Sequence, residues 1–173
     1  MTITWNRRHF LGAALSGSAL PLAGCDSALN SRTDSWWQQQ LPLLDGSTLH
    51  TSSLHGRPFI VNFWASWCTP CVQEMPIIDA FFEKNRTIGW QILGIAIDNA
   101  EPVKRFLSRV PVHFPIVLAP DNGQQLMTQL GHTGNRLPFT VQFDVAGNIV
   151  ERHSGTLDAA MLDRCKELTS LGK

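Results

Sequence analysis

Phe59-Ile60-Val61-Asn62-Phe63-Trp64, Ala65-Ser66-Trp67, Cys68-Thr69-Pro70-Cys71 and Val72-Gln73-Glu74-Met75-Pro76 run without a break through the middle of the chain. The apolar run Phe59 to Trp64 reads as a buried strand. Val72 to Asn85 reads as a helix. Two cysteines separated by two residues can close into a small disulfide ring. A helix N-terminus supplies partial positive charge beneath the first sulfur. That field favours the thiolate, which is the nucleophile in disulfide exchange. A strand, a Cys-x-x-Cys turn and a helix together specify a redox-active dithiol.

Outward from this stretch the chain alternates strand and helix. Arg57 to Trp64 is the first central strand and Cys71 to Asn85 the first helix, with Pro76 expected to bend it. Trp90 to Ile97 is a second buried strand, Glu101 to Val110 a helix, Phe114 to Leu118 a short strand, and Gly123 to Leu130 a short helix. Phe139 to Asp144 and Asn148 to His153 make a hairpin across Ala146-Gly147. Thr156 to Leu171 closes the chain with a helix that Thr156 is placed to cap. Its apolar face carries Leu157, Met161, Cys165 and Leu168, so Cys165 reads as a small core residue. Upstream, Leu43 to Leu49 reads as a hairpin turning on Asp45-Gly46. The fold class is α/β: a central mixed β-sheet flanked by helices, with an N-terminal β-hairpin extension.

The 173 residues, 43% of them hydrophobic, suit one domain and a leader. Setting aside Arg7 and Arg8 leaves 12 basic against 14 acidic residues, a net charge of about −2. No basic patch argues for nucleic acid. Residues 1–24 read as an export signal: a basic start, an apolar stretch from Leu11 to Leu22, and a small-residue end. That stretch falls short of the roughly 20 residues that span a bilayer. Arg7-Arg8-His9-Phe10-Leu11 resembles a twin-arginine signal. Leu22-Ala23-Gly24-Cys25 resembles a bacterial lipoprotein box, which implies that Cys25 is lipidated. Asp26 after it resembles an inner-membrane retention signal. Residues 25–38 are then a lipidated tether and 39–173 the folded domain. Trp36-Trp37, at the tether's end, suits capping the near edge of the core.

Phe63-Trp64-Ala65-Ser66-Trp67-Cys68-Thr69-Pro70-Cys71, then Glu74-Met75-Pro76, and later Leu137-Pro138-Phe139-Thr140, resemble the thioredoxin fold and within it the TlpA/ResA-like family of thiol–disulfide oxidoreductases. Cys68, at the loop-to-helix junction, is expected to attack, and Cys71, one turn in, to resolve the mixed disulfide. Thr69 and Pro70 are placed to tune the dithiol. Trp67 is placed to shield the site and meet partners. The resemblance implies a cis bond between Leu137 and Pro138 against the sulfurs. The backbone there would pair with an extended substrate segment. Common thioredoxin has a buried Asp where this chain has Asn62. Glu74, three residues after Cys71 and on its side of the helix, is the candidate substitute for proton transfer.

The function implied is an extracytoplasmic, membrane-anchored disulfide reductase. The resemblance implies exported protein disulfides such as those of apocytochrome c as substrates, and a membrane dithiol transporter as electron donor. The expected site is the periplasmic face of the inner membrane, and no cofactor is expected beyond the Cys68–Cys71 pair. A disulfide-forming oxidase, a metallochaperone and a peptide-holding adaptor are the alternatives. Two cysteines do not complete a tetrahedral zinc site, and His132 is the nearest histidine by position, so no metal is expected.

Overall fold

The computed structural model describes residues 34–170. The expected export signal 1–24, the expected lipidation site Cys25, the side chain of Leu168, and Leu171 lie outside the described residues. Seven strands form in chain order: β1 (Gln40–Pro42), β2 (Thr48–His50), β3 (Phe59–Trp64), β4 (Gln91–Ala96), β5 (Ile116–Leu118), β6 (Phe139–Phe143) and β7 (Ile149–Ser154). Between and after them lie α1 (Thr69–Asn85), α2 (Ala100–Leu107), α3 (Gly123–Gln129) and α4 (Ala159–Ser170).

The central sheet has the order β5-β4-β3-β6-β7. β3, β4 and β5 run parallel, while β6 and β7 are antiparallel. β3 lies in the middle with all six residues buried, which is why it reads as one apolar run rather than an alternation. Helices and loops cover both faces and divide the core into two clusters. This is the expected mixed sheet flanked by helices.

The N-terminal hairpin forms as β1 and β2, pairing Gln40 with His50 and Pro42 with Thr48. Asp45 accepts hydrogen bonds from the Ser47 amide at 2.9 Å and its hydroxyl at 2.6 Å, and Gly46 takes φ +88°. Leu43 bridges Val117, and the Leu44 amide donates to Ile116 O at 2.8 Å, so the extension docks on the β5 edge. Trp36 is wholly buried and Trp37 stacks on His55. Both tryptophans thus cap the edge of the core, as expected of them, although they fall inside the expected tether 25–38.

Two helix starts differ from expectation. α1 begins at Thr69, because Pro70 is at home in a first turn and Cys68 becomes the N-cap. α4 begins at Ala159 rather than Thr156. The Leu157 amide donates to Glu74, and the Gly155 amide donates to Pro138 O at 3.0 Å, so this backbone is held outside the helix. Asp158 supplies the cap instead, accepting from the Met161 amide at 2.7 Å.

Candidate active site

The chain leaves β3 at Trp64, turns through Ala65-Ser66-Trp67, and enters α1 at Thr69. Cys68 and Cys71 are joined by a disulfide across this junction, with Cα atoms 5.3 Å apart. Cys68 has extended N-cap backbone, φ −89° and ψ 100°. Its carbonyl accepts the first helical bond from Val72 at 3.1 Å. The amides of Thr69 and Cys71 belong to the first turn, which the helix ladder leaves without internal acceptors. Cys68 is 6% exposed and Cys71 not at all. Trp67 stands beside them at 68% exposure.

One turn along α1, Glu74 is fully buried. Its Oε1 accepts from Asn62 Nδ2 at 2.8 Å, and its Oε2 accepts from the Leu157 amide at 2.7 Å. Asn62 Nδ2 also donates to Thr140 Oγ1 at 3.1 Å. Loss of hydration disfavours the carboxylate, while both hydrogen bonds favour it. Burial wins, and the pKa rises to about 7. A carboxyl poised there can either give or take a proton near neutral pH.

The Leu137–Pro138 bond is cis, as the resemblance implies. Pro138 is buried, Leu137 half-buried and Arg136 exposed. β6 begins one residue after Pro138, and Phe139 pairs with Ser154.

Asp98 is a member of the site that sequence reasoning misses. It is 8% exposed and accepts from Ser66 N at 3.1 Å, Ser66 Oγ at 2.6 Å and Asn99 N at 2.8 Å. It thereby ties the loop that carries Trp67 and Cys68 to the end of β4. The signal is one of register. β3 and β4 pair Trp64 with Ala96, so the residues two beyond each strand end face each other.

His132 lies over Phe139, ring centres 4.3 Å apart, and burial lowers its pKa. Among the described residues no group of three or more His, Cys, Asp or Glu is arranged to hold a metal. Cys165 is buried, and its thiol is pushed up to about 11. That position suits packing rather than exchange.

The Redoxin family matches residues 17–165. The thiol-disulfide oxidoreductase ResA of Halalkalibacterium halodurans is 30% identical over 126 residues, covering 72% of this chain and 69% of its own. The ResA of Bacillus subtilis is 26% identical over 130 residues, covering 75% and 70%. Among solved structures, MTB DsbF superposes with a TM-score of 0.67 at 26% identity, covering 78% of this chain and 98% of the other. A thiol:disulfide interchange protein of the thioredoxin family from Chlorobium tepidum does so at 0.66 and 26%, covering 76% and 92%. With a dithiol at the head of α1, the chain belongs to the Redoxin family as a ResA-like, thioredoxin-fold thiol–disulfide oxidoreductase.

Proposed function

We propose that this protein reduces disulfides of exported proteins outside the cytoplasm, held to the membrane by a lipid on Cys25. The observation that carries the mechanism is the grading of exposure into the head of α1: Trp67 68% exposed, Cys68 6%, and Cys71 and Glu74 sealed completely. In the reduced protein the Cys68 thiolate attacks a substrate disulfide, forming a mixed disulfide and releasing one substrate thiolate. Glu74 takes the proton of the Cys71 thiol. The Cys71 thiolate then attacks the Cys68 sulfur, closes the Cys68–Cys71 disulfide and releases the second substrate thiolate. Two electrons pass to the substrate, and no cofactor beyond the dithiol takes part. Trp67, Leu137 and the cis Pro138 form the landing surface. The backbone ahead of Phe139 offers an extended segment a strand to pair with. Thr69 and Pro70 set how many first-turn amides face the Cys68 sulfur, and so tune the potential.

The direction is reductive, as in the reductases that this site resembles, with apocytochrome c a fitting substrate and a membrane dithiol transporter a fitting donor. Cys71→Ser is expected to trap covalent complexes with exported proteins, and Cys68→Ser to trap none. Equal trapping by both overturns the assignment. A dithiol potential near the thioredoxin value of about −270 mV supports reduction, and one near the DsbA value of about −120 mV supports oxidation instead.

A further inference from the structure

Thr133 to Pro138 form the loop that carries the landing backbone. Its outer part, Thr133 to Arg136, is exposed, and none of it lies in a helix or strand. Leu137 packs against both core clusters, the one that holds Cys68 and Cys71 and the one that holds Phe139. An exposed loop is ordinarily mobile, and any freedom it keeps is lost when a substrate strand pairs with it. This loop is braced. His132 and Phe139, the residues that flank it, stack with ring centres 4.3 Å apart and close its neck. The His132 ring also hydrogen-bonds the Arg136 backbone. Gln124, in the first turn of α3, donates from Nε2 to Gly134 O at 3.2 Å and to Asn135 Oδ1 at 2.7 Å. The platform behind these two side chains is fixed in turn. The His132 amide donates to Met127 O at 2.9 Å, and Arg152 Nε of β7 donates to Leu130 O at 2.7 Å. Gly131 between them takes φ +91°, and a Cβ there would stand 2.6 Å from Arg152 Nε.

Packing alone does not explain an imidazole at 132. His132 is 9% exposed, and its Nε2 is buried with no partner among the described residues. An orphaned nitrogen costs stability that a phenyl ring in the same space would not. With Nε2 unpartnered, the bond to Arg136 runs from Nδ1. It favours the protonated ring, so Nδ1–H donates and the carbonyl accepts. The polar edge of the ring is thus spent on the loop.

We propose that His132 and Gln124 are positioning residues that hold the cis-proline loop in the shape an extended substrate segment pairs with. The inference rests on the reading of Leu137 and Pro138 as the landing surface. The two side chains act through the loop and touch neither sulfur nor substrate. They lower the ordering cost of binding a peptide, and a disulfide without a peptide segment gains nothing from them.

The test is single-turnover oxidation of the pre-reduced full chain, by insulin or by hydroxyethyl disulfide, which has no peptide backbone. His132→Phe keeps the stack on Phe139 and gives up the bond to Arg136. It is expected to raise the half-saturating insulin concentration about tenfold, the worth of roughly one hydrogen bond. Gln124→Ala should raise it about threefold, since its bonds lie within reach of water. In both variants the limiting rate and the rate with hydroxyethyl disulfide should match the parent. The melting temperature of His132→Phe should not fall, because the orphaned nitrogen is gone. Amide hydrogen exchange should quicken in residues 133–137 of both variants. Parent-like half-saturation in both overturns the proposal. So does an equal loss with both oxidants, or a lower melting temperature in His132→Phe, which would make the ring a packing residue. Pro138→Ala separates the two levels. If it leaves the half-saturation for insulin unmoved, the landing-surface reading falls. If it raises that concentration while His132→Phe and Gln124→Ala do not, only the brace falls.

Discussion

The two faces of the central sheet are built to opposite rules. On one, Phe59, Val61 and Phe63 of β3 meet Leu93 and Ile95 of β4 and Phe139, Val141 and Phe143 of β6 in a single apolar cluster. Phe59 and Phe143 stack at 4.2 Å with ring planes 8° apart. On the other, the alternate residues of the same strands include Asn62, Thr140 and Gln142, with Glu74 pressed down upon them from α1. Asn62 Oδ1 and Gln142 Oε1 are left without donors among the described residues. A period of two lets one strand serve both purposes. The first face supplies the stability that makes an imperfectly satisfied, titrating second face tolerable.

The comparison predicts that damage on the two faces reads out differently. The largest effect belongs to the apolar face. Phe143→Ala should cost about 3–5 kcal/mol of stability, as large-to-small changes in tight cores do. Below its melting point the variant should keep the parent pH profile of turnover. A shifted profile would show the faces to be coupled. Next comes Glu74→Gln, expected to slow turnover about 100-fold and to remove the rise in rate through pH 7. It also changes a slope of stability. The folded pKa of about 7 stands above the ordinary 4.5, so the native protein holds more protons than the unfolded one between those values. Stability should therefore fall as pH rises through that window. The fall is about 3 kcal/mol at roughly 1.4 kcal/mol per pKa unit, and it should be absent in the variant. Urea unfolding of the oxidised protein at pH 4 to 8 measures it. Parallel curves would mean that Glu74 titrates normally.

The apolar side was the more legible in sequence, because β3 is buried throughout and shows as a short continuous run rich in aromatic and β-branched residues. The dithiol, the cis proline and Glu74 were legible as residue types at fixed spacings. What stayed hidden lies in contacts between distant segments. Thr140 and Gln142 read as ordinary strand residues until register sets Asn62 beside one of them. Thr156 reads as a good cap, yet the next amide is claimed by a carboxylate 83 residues earlier in the chain. Asp98 carries no local signature. Only the parallel pairing of β3 with β4 brings it to Ser66.

Asp98 is polar and nearly buried, yet it has a donor for each of three bonds. It therefore separates polarity from incomplete satisfaction. Asp98→Asn cannot accept all three, and should cost about 1–3 kcal/mol of stability. Because it acts on the loop and not on Glu74, the pH midpoint of turnover should stay in place. A moved midpoint would merge the loop clamp with the proton machinery.

The smallest effect contrasts two carboxylates of the same helix. Glu74 is buried and its pKa rises. Asp79 reaches outward, accepting from the His113 amide at 2.6 Å and meeting His113 Nδ1 at 2.9 Å. That imidazole is 61% exposed, so hydration survives, and the hydrogen bond and charge of Asp79 raise the His113 pKa above 6.5. The pair's contribution is full below 6.5 and is lost as pH climbs through the raised value. Asp79→Asn should bring the His113 midpoint, followed by its ring-proton NMR shifts, back toward 6.5, with the turnover profile unchanged. If the turnover midpoint followed His113, burial of Glu74 would no longer explain why activity titrates near neutrality. The titrating group would then lie on the outer side of α1.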